Sequence, residues 1–272
     1  MLTQSIRNKW SLAARALPVV IFAVALRFIN SEVFKFDPIL KFSDLAPILT
    51  GASIVLGLML TGVIADYRDA EKLPAVVGRA LDDLDGLARR GLNRVGKNSD
   101  GAHGRVLVLA EVINGWFYGK QKNEQVWAAR SDIGELILEL DKAEVPEHYL
   151  HRMLRVNSDL GAALSRVQVI RDTDFISAGY ALMELLVGGV VLTLSLVEFS
   201  SPMVGFYVTA GLALTYSYLV LLAKDIDNPF AHGVSKGKGS AADVDLTPFL
   251  MVLNKLQKAQ THRVEAQPDI AH

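Results

Sequence analysis

Side chains able to do covalent or metal chemistry are sparse in this sequence. None of the 272 residues is a cysteine, so disulfides and thiolate metal sites are excluded. Glu147, His148 and His151 come nearest to a metal motif, but their spacing after Pro146 differs from that of H-E-x-x-H, and no further ligand can be identified. No Ser-His-Asp order, phosphate-binding Gly-rich loop or pair of catalytic carboxylates can be placed. We predict no enzyme, no metal and no cofactor, and expect these histidines on a helix surface.

Two charged residues matter because they interrupt apolar segments. Glu184 lies about eight residues into one such segment, roughly 12 Å deep at 1.5 Å per residue. Arg27 interrupts another and could reach a similar depth. An isolated charge in hydrocarbon costs on the order of 2.5–3.5 kcal/mol on insertion scales. We therefore predict a structural ion pair between Arg27 and Glu184, with a selectivity or proton-relay role for Glu184 as the alternative.

The elements that must position these residues are transmembrane helices. The chain is 51% hydrophobic yet 21% charged, so its apolar and polar segments must be segregated. Four segments are candidate spans, and a short turn joins the last two: 12–29, 45–65, 175–197 and 202–223. The first is the weakest, because Arg15 and Arg27 leave an uncharged core only about eleven residues long. The predicted fold is all-α, with four transmembrane helices in two hairpins.

Basic residues around the spans indicate the orientation. The basic residues expected on one side lie before or at the start of the first span, or follow the last span: Arg7, Lys9, Arg15, Lys224, Lys236 and Lys238. The outer loops offer only Lys35 and Lys41 against them. By the positive-inside rule, both termini are expected in the cytosol of a multi-pass protein of the bacterial inner membrane or an equivalent membrane. The net charge of -1 gives no reason to expect nucleic acid as a partner.

Polar helical patterning separates the two hairpins. Apolar side chains recur at three- and four-residue spacing between the second and third spans, as in a cytosolic helical domain. A short apolar stretch, 246–256, and a tail with the composition of disordered segments follow the last span. The predicted division is an N-terminal hairpin, a cytosolic domain, a C-terminal hairpin and a cytosolic C-terminal segment: 1–65, 66–174, 175–223 and 224–272.

Two motifs carry a resemblance to a known family. The second span reads Val55-Leu56-Gly57-Leu58-Met59-Leu60-Thr61 and leads to Glu71-Lys72-Leu73-Pro74. After the last span comes Ile226-Asp227-Asn228-Pro229-Phe230. The first is similar to the V-L-G-F-x-V-T and E-N-L-P segments of the bestrophins, and the second to their I-N-P-F-G. The chain thus resembles the bestrophins and the bacterial bestrophin-like membrane family, and the motif residues are Glu71, Leu73, Pro74, Asn228, Pro229 and Phe230.

The resemblance implies a homopentamer whose second span lines a central pore for small inorganic anions such as chloride. On the matching frame Thr50, Ile54 and Leu58 form the neck of the pore, and Thr61 lines it further on. Arg68 and Lys72 would line an inner vestibule and concentrate anions. From the residues alone, the run 66–72 is instead a solvated, internally paired exit from the bilayer.

The sequence departs from the family pattern in three places. The stretch 65–70 is one residue shorter than in the family and lacks its aromatic pair. Thr50 is small and polar where neck residues are mostly bulky and apolar. The acidic cluster that binds calcium after N-P-F-G in animal members is absent, so calcium gating is not implied. Two functions stay open: a bestrophin-like anion channel that does no chemistry, and a membrane-anchored scaffold or signalling protein that acts through its cytosolic domain.

Overall fold

Helices dominate the computed structural model, which describes residues 2–34, 39–172, 177–227, 229–230 and 243–265. Two compact units are present, one built from the described parts of 1–67 and 174–228 and the other from 68–173, 229–230 and 243–265. The described residues form these α-helices: α1 (Leu2–Phe28), α2 (Phe42–Arg94), α3 (Asp100–Phe117), α4 (Asn123–Lys142), α5 (Glu147–Asp172), α6 (Ser177–Ser195), α7 (Pro202–Ile226) and α8 (Thr247–Glu265). A π-helical turn, Ile29–Val33, extends α1.

The first unit is the membrane unit. Four helices within the described residues are long and apolar enough to cross a bilayer, namely α1 with its π-helical turn, the first part of α2, α6 and α7. The predicted all-α class, the four spans and their two hairpins are confirmed. The two hairpins are also joined by a short parallel pairing of β1 (Leu40–Lys41) with β2 (Val197–Glu198).

Local signals explain where the membrane helices begin and pack. Ser201 caps α7, because its side chain accepts a hydrogen bond from the Val204 amide at 3.4 Å, and Pro202 occupies the first turn. The core of the unit is formed by apolar side chains from all four spans, most of them small or branched, including Ala23, Leu45, Ala52, Leu56, Met183, Val187, Val190, Leu194, Ala213 and Val220. Small residues let the helices approach closely where lipid provides no hydrophobic driving force.

The second unit has a core of its own. Its centre is aromatic: the Phe117 ring stacks on Phe230 at 5.8 Å and meets Phe249 edge-on at 5.2 Å. The sequence predicted only a short apolar stretch and a tail near the C-terminus, whereas the structure contains the 19-residue helix α8. Phe249, Leu253 and Leu256 of α8 are buried, and their helical spacing explains how this helix packs on α3 within the unit.

Candidate functional site: the uncovered face of α2

One side of α2 is buried within the membrane unit. Leu45, Ala52, Leu56 and Val63 are each 3% exposed or less. Their spacing by seven and four residues places them on a single face of the helix. That face attaches α2 to the rest of the unit.

The four predicted pore-lining residues lie on the opposite side. At about 100° per residue, Thr50, Ile54, Leu58 and Thr61 centre on a direction roughly opposite to the buried face. All four are exposed, with Ile54 57% and Leu58 70% accessible. The structure therefore brings these residues together on one uncovered face.

The two threonines of this face do not present free hydroxyl donors. Thr50 Oγ1 donates to the Ala46 carbonyl at 2.9 Å, and Thr61 Oγ1 donates to the Gly57 carbonyl at 2.8 Å. Such bonds to the carbonyl four residues earlier satisfy the hydroxyl within its own helix. With Ile54 and Leu58 between them, the uncovered face is predominantly apolar.

Three glycines border the uncovered face. Helical spacing puts Gly51 and Gly62 on one flank and Gly57 on the other. A Cβ added at any of these glycines would meet nothing within 4 Å. Only 17% of the apolar stretch of α2 is buried, against 22% for α1, 39% for α6 and 33% for α7. α2 is thus the least covered span in this protomer.

Tyr216 sets the rotation of α2. Its hydroxyl donates to the Leu49 carbonyl at 2.9 Å and lies 2.7 Å from Ser53 Oγ. Tyr216 belongs to α7 and is 4% exposed. Sequence reasoning missed this residue, although a tyrosine within an uncharged span needs a hydrogen-bond partner and could have been singled out on that ground.

The predicted ion pair between Arg27 and Glu184 is wrong. Glu184 instead accepts a hydrogen bond from Lys224 Nζ. Arg27 Nη1 donates to the Leu194 carbonyl at 2.8 Å, close to the C-terminal end of α6. Glu184 and Leu194 are ten residues apart on α6, which is about 15 Å along the axis. Arg27 therefore cannot contact the Leu194 carbonyl and the Glu184 carboxylate at the same time.

Arg27 is held by carbonyls and aromatic rings. It is 7% exposed, and its guanidinium carbon lies 4.4 Å from the centre of the Phe199 ring and 5.8 Å from that of Phe206. The last carbonyls of a helix carry partial negative charge, so a cation is stabilised there. Arg27 thereby caps α6, a role that apolar patterning gave no means to assign.

Carboxylates offset the charge of the predicted vestibule residues. Arg68 and Lys72 border a shallow cleft of the second unit together with Glu71, Asp245 and Pro248. Lys72 Nζ also lies 3.6 Å from Asp69. Hydrogen bonds from Thr247 lower the pKa of Asp245, so this carboxyl is charged at neutral pH. The cleft therefore carries charges of both signs.

The family-motif residues have mostly structural surroundings. Glu71 is exposed, whereas Leu73 and Pro74 are buried within α2. Pro229 is buried and its carbonyl accepts from the Val244 amide at 2.9 Å, and Phe230 is 1% exposed in the aromatic core. Asn228 lies outside the described residues.

The histidines near Pro146 lie at the surface of α5. His151 Nε2 is 2.9 Å from Glu147 Oε1, and both side chains are largely exposed. His148 instead lies against the Tyr149 ring at 4.2 Å. No group of three ligands able to hold a metal ion was found among the described residues.

Comparison with known proteins connects this arrangement to one fold. No family model matches the sequence, and no curated protein matches it. A solved structure of a bacterial bestrophin homologue from Klebsiella pneumoniae is similar with a TM-score of 0.70 at 13% identity, covering 91% of this chain and 99% of that one. A second variant of that homologue gives 0.69 at 14% identity over the same shares of the two chains. A membrane protein variant gives 0.71 at 14% identity, covering 90% of this chain and 98% of the other. The predicted resemblance to the bestrophins is confirmed at the level of fold.

Proposed function

We propose that this chain, which has the fold of the bacterial bestrophin homologues, is one subunit of a homopentameric anion channel. In this proposal the five α2 helices, one from each subunit, together surround a central path. The path is lined by Thr50, Ile54, Leu58 and Thr61. Chloride is the expected permeant ion, both termini lie in the cytosol, and the protein does no covalent chemistry.

A single observation carries the proposal: the apolar face of α2 is uncovered in the protomer and points away from the buried face. A narrow ring of such faces forms a hydrophobic constriction, which gates by expelling water. Because the hydroxyls of Thr50 and Thr61 donate to carbonyls of their own helix, they offer no free donor to an ion or water in the path.

The glycines beside that face favour copies of the same helix as neighbours. In a ring, each α2 turns its central face to the axis and its flanks to the adjacent subunits. Gly51, Gly57 and Gly62 lie on those flanks with open space above them, which allows helix backbones to approach closely.

Flux through liposomes tests the proposal. Truncation of Ile54 or Leu58 to Ala should widen the constriction and raise chloride flux several-fold, on the order of the tenfold that about 1.4 kcal/mol of barrier represents. The matched control is Leu185→Ala, because Leu185 is 71% exposed on another span and equally apolar. Flux should not change in that variant.

Two results would overturn the channel. The first is a monomeric protein in mild detergent, because a monomer has no axis shared by several α2 helices. The second is equal flux in the wild type, Ile54→Ala and Leu58→Ala, which would show that α2 lines no path. Either result would favour the membrane-anchored scaffold, which acts through its helical domain.

A further inference from the structure

A cavity with charged residues in its lining lies beside Arg27 in the membrane unit. It has a volume of about 290 Å³, and its lining includes Arg27, Asn30, Ser31, Glu32, Glu198 and Phe206. Among the described residues, its lining combines one cation, Arg27, with two carboxylates, Glu32 and Glu198. It is distinct from the uncovered face of α2.

Arg27 makes no direct ion pair with any carboxylate among the described residues. Its Nη1 donates to the carbonyls of Leu194 and Val197, at 2.8 and 3.4 Å. Across the described residues, no carboxylate lies within 4.0 Å of the guanidinium, and Nε has no acceptor. Burying a charge without an opposite charge is costly. A cation that is 7% exposed and borders a cavity therefore favours an anionic group beside it, while the two carboxylates of the same lining favour a cationic group beside them.

An apolar groove adjoins this cavity. Val20, Ile21, Val24, Ala25 and Phe28 line it along one side of α1, with Phe206 of α7. The lining is almost entirely carbon, and Phe206 borders both the groove and the cavity. A ligand with a polar head and a hydrocarbon chain can therefore occupy both at once.

We propose that the cavity and groove together bind a glycerophospholipid whose headgroup carries a phosphate and a primary ammonium. The phosphate lies at Arg27, the ammonium at Glu32 and Glu198, and one acyl chain follows the groove along α1. Arginine binds phosphate oxygens through charge-assisted hydrogen bonds, and an ammonium with free N–H groups can donate to carboxylates. A quaternary ammonium has no such N–H group, so a choline headgroup fits the two glutamates less well.

Native mass spectrometry of the full-length protein tests the site. Bound lipid is first removed from the protein with detergent. The protein is then incubated with dioleoyl phosphatidylethanolamine or dioleoyl phosphatidylcholine, and the number of lipid molecules retained per subunit is measured. The wild type should retain the ethanolamine lipid about tenfold better, as expected for one lost charged hydrogen bond. The double variant Glu32→Gln, Glu198→Gln should lose most of this preference.

Two variants address the head and the chain separately. Arg27→Gln should reduce retention of the ethanolamine lipid about tenfold by removing the phosphate partner. Ala25→Trp fills the groove from an exposed position, so it should lower retention even if Arg27→Gln fails to fold. Arg15→Gln is the control, because Arg15 is an exposed arginine of the same helix that does not border the cavity.

Several outcomes overturn the proposal. One is equal retention in the wild type, Ala25→Trp and Arg27→Gln, and another is equal retention of the two lipids by the wild type. Absence of retained lipid in the wild type, with dissociation of the oligomer in Ala25→Trp, would show instead that a neighbouring copy covers the groove. None of these measurements depends on ion conduction, so the lipid site and the channel can fail independently.

Discussion

At the scale of single residues, the membrane unit accommodates its charges in two different ways. Glu184 has a cationic partner, Lys224, and both side chains are substantially exposed in the protomer. Arg27 is buried against helix-end carbonyls and two aromatic rings. Close approach of α1 and α7 makes this possible, since Gly205 of α7 leaves the space that the guanidinium occupies. A side chain at position 205 would compete directly with Arg27.

Gly205→Ala should therefore destabilise the membrane unit. The added Cβ would overlap the Arg27 guanidinium, and crowding of a packed site costs typically about 1–3 kcal/mol. Thermal unfolding in a fixed detergent would measure the loss. Gly211→Ala on the same helix is the control, because nothing lies within 4 Å of its added Cβ, and it should leave stability within about 0.5 kcal/mol. Equal stability of the two variants would contradict the prediction.

At the scale of elements, α8 is the helix whose placement departs most from the expectation for the sequence. Its apolar side chains are buried against the rest of the second unit, and one polar contact also holds it there. His103 of α3 is 1% exposed, with Nδ1 at 2.6 Å from Asp85 Oδ1 and Nε2 at 3.1 Å from the Leu256 carbonyl. The imidazole thus links α2, α3 and α8 within this unit.

His103→Leu should loosen α8. The substitution removes the extra contact to the Leu256 carbonyl and leaves Asp85 without its histidine, at a cost of about 1–3 kcal/mol. Hydrogen exchange of the amides in α8 of the full-length protein should accelerate about tenfold for each 1.4 kcal/mol lost. His151→Leu is the matched control, since His151 is an exposed histidine that also contacts a carboxylate. Unchanged exchange in His103→Leu would mean that apolar packing alone holds α8.

At the scale of the whole molecule, the protomer leaves α2 largely uncovered on its apolar face. In a monomeric membrane protein such a face can contact lipid. Exposure in the protomer therefore does not determine whether lipid or another subunit covers the face. The glycines on both flanks of the face distinguish the two cases, because lipid chains do not require small residues whereas packed helices do. This is the reason for expecting a ring of subunits.

Substitutions at Gly57 should depend on side-chain size. Gly57→Leu should dissociate the oligomer, because a bulky side chain separates neighbouring α2 helices, whereas Gly57→Ala should preserve it. Mass determination by light scattering in mild detergent would measure both variants against the wild type. An intact oligomer with Leu at position 57 would place the subunit interface elsewhere.

Hydropathy and short motifs were enough to predict much of this protein. Continuous apolar segments determine the four spans, because a bilayer-crossing helix needs about 20 apolar residues and must satisfy its backbone internally. The V-L-G, E-K-L-P and N-P-F segments pointed to the bestrophin fold that the solved structures share. These signals are local, so no knowledge of the tertiary arrangement was required.

Contacts between distant segments were decided only by the tertiary structure. Helical periodicity defines a face but not its partner, so it could not place Arg27 at the end of α6 or Glu184 at Lys224. For the same reason it could not predict that Tyr216 orients α2, or that α8 docks through Phe249. Each depends on which helices are neighbours and how each is rotated, and packing of the whole unit determines both.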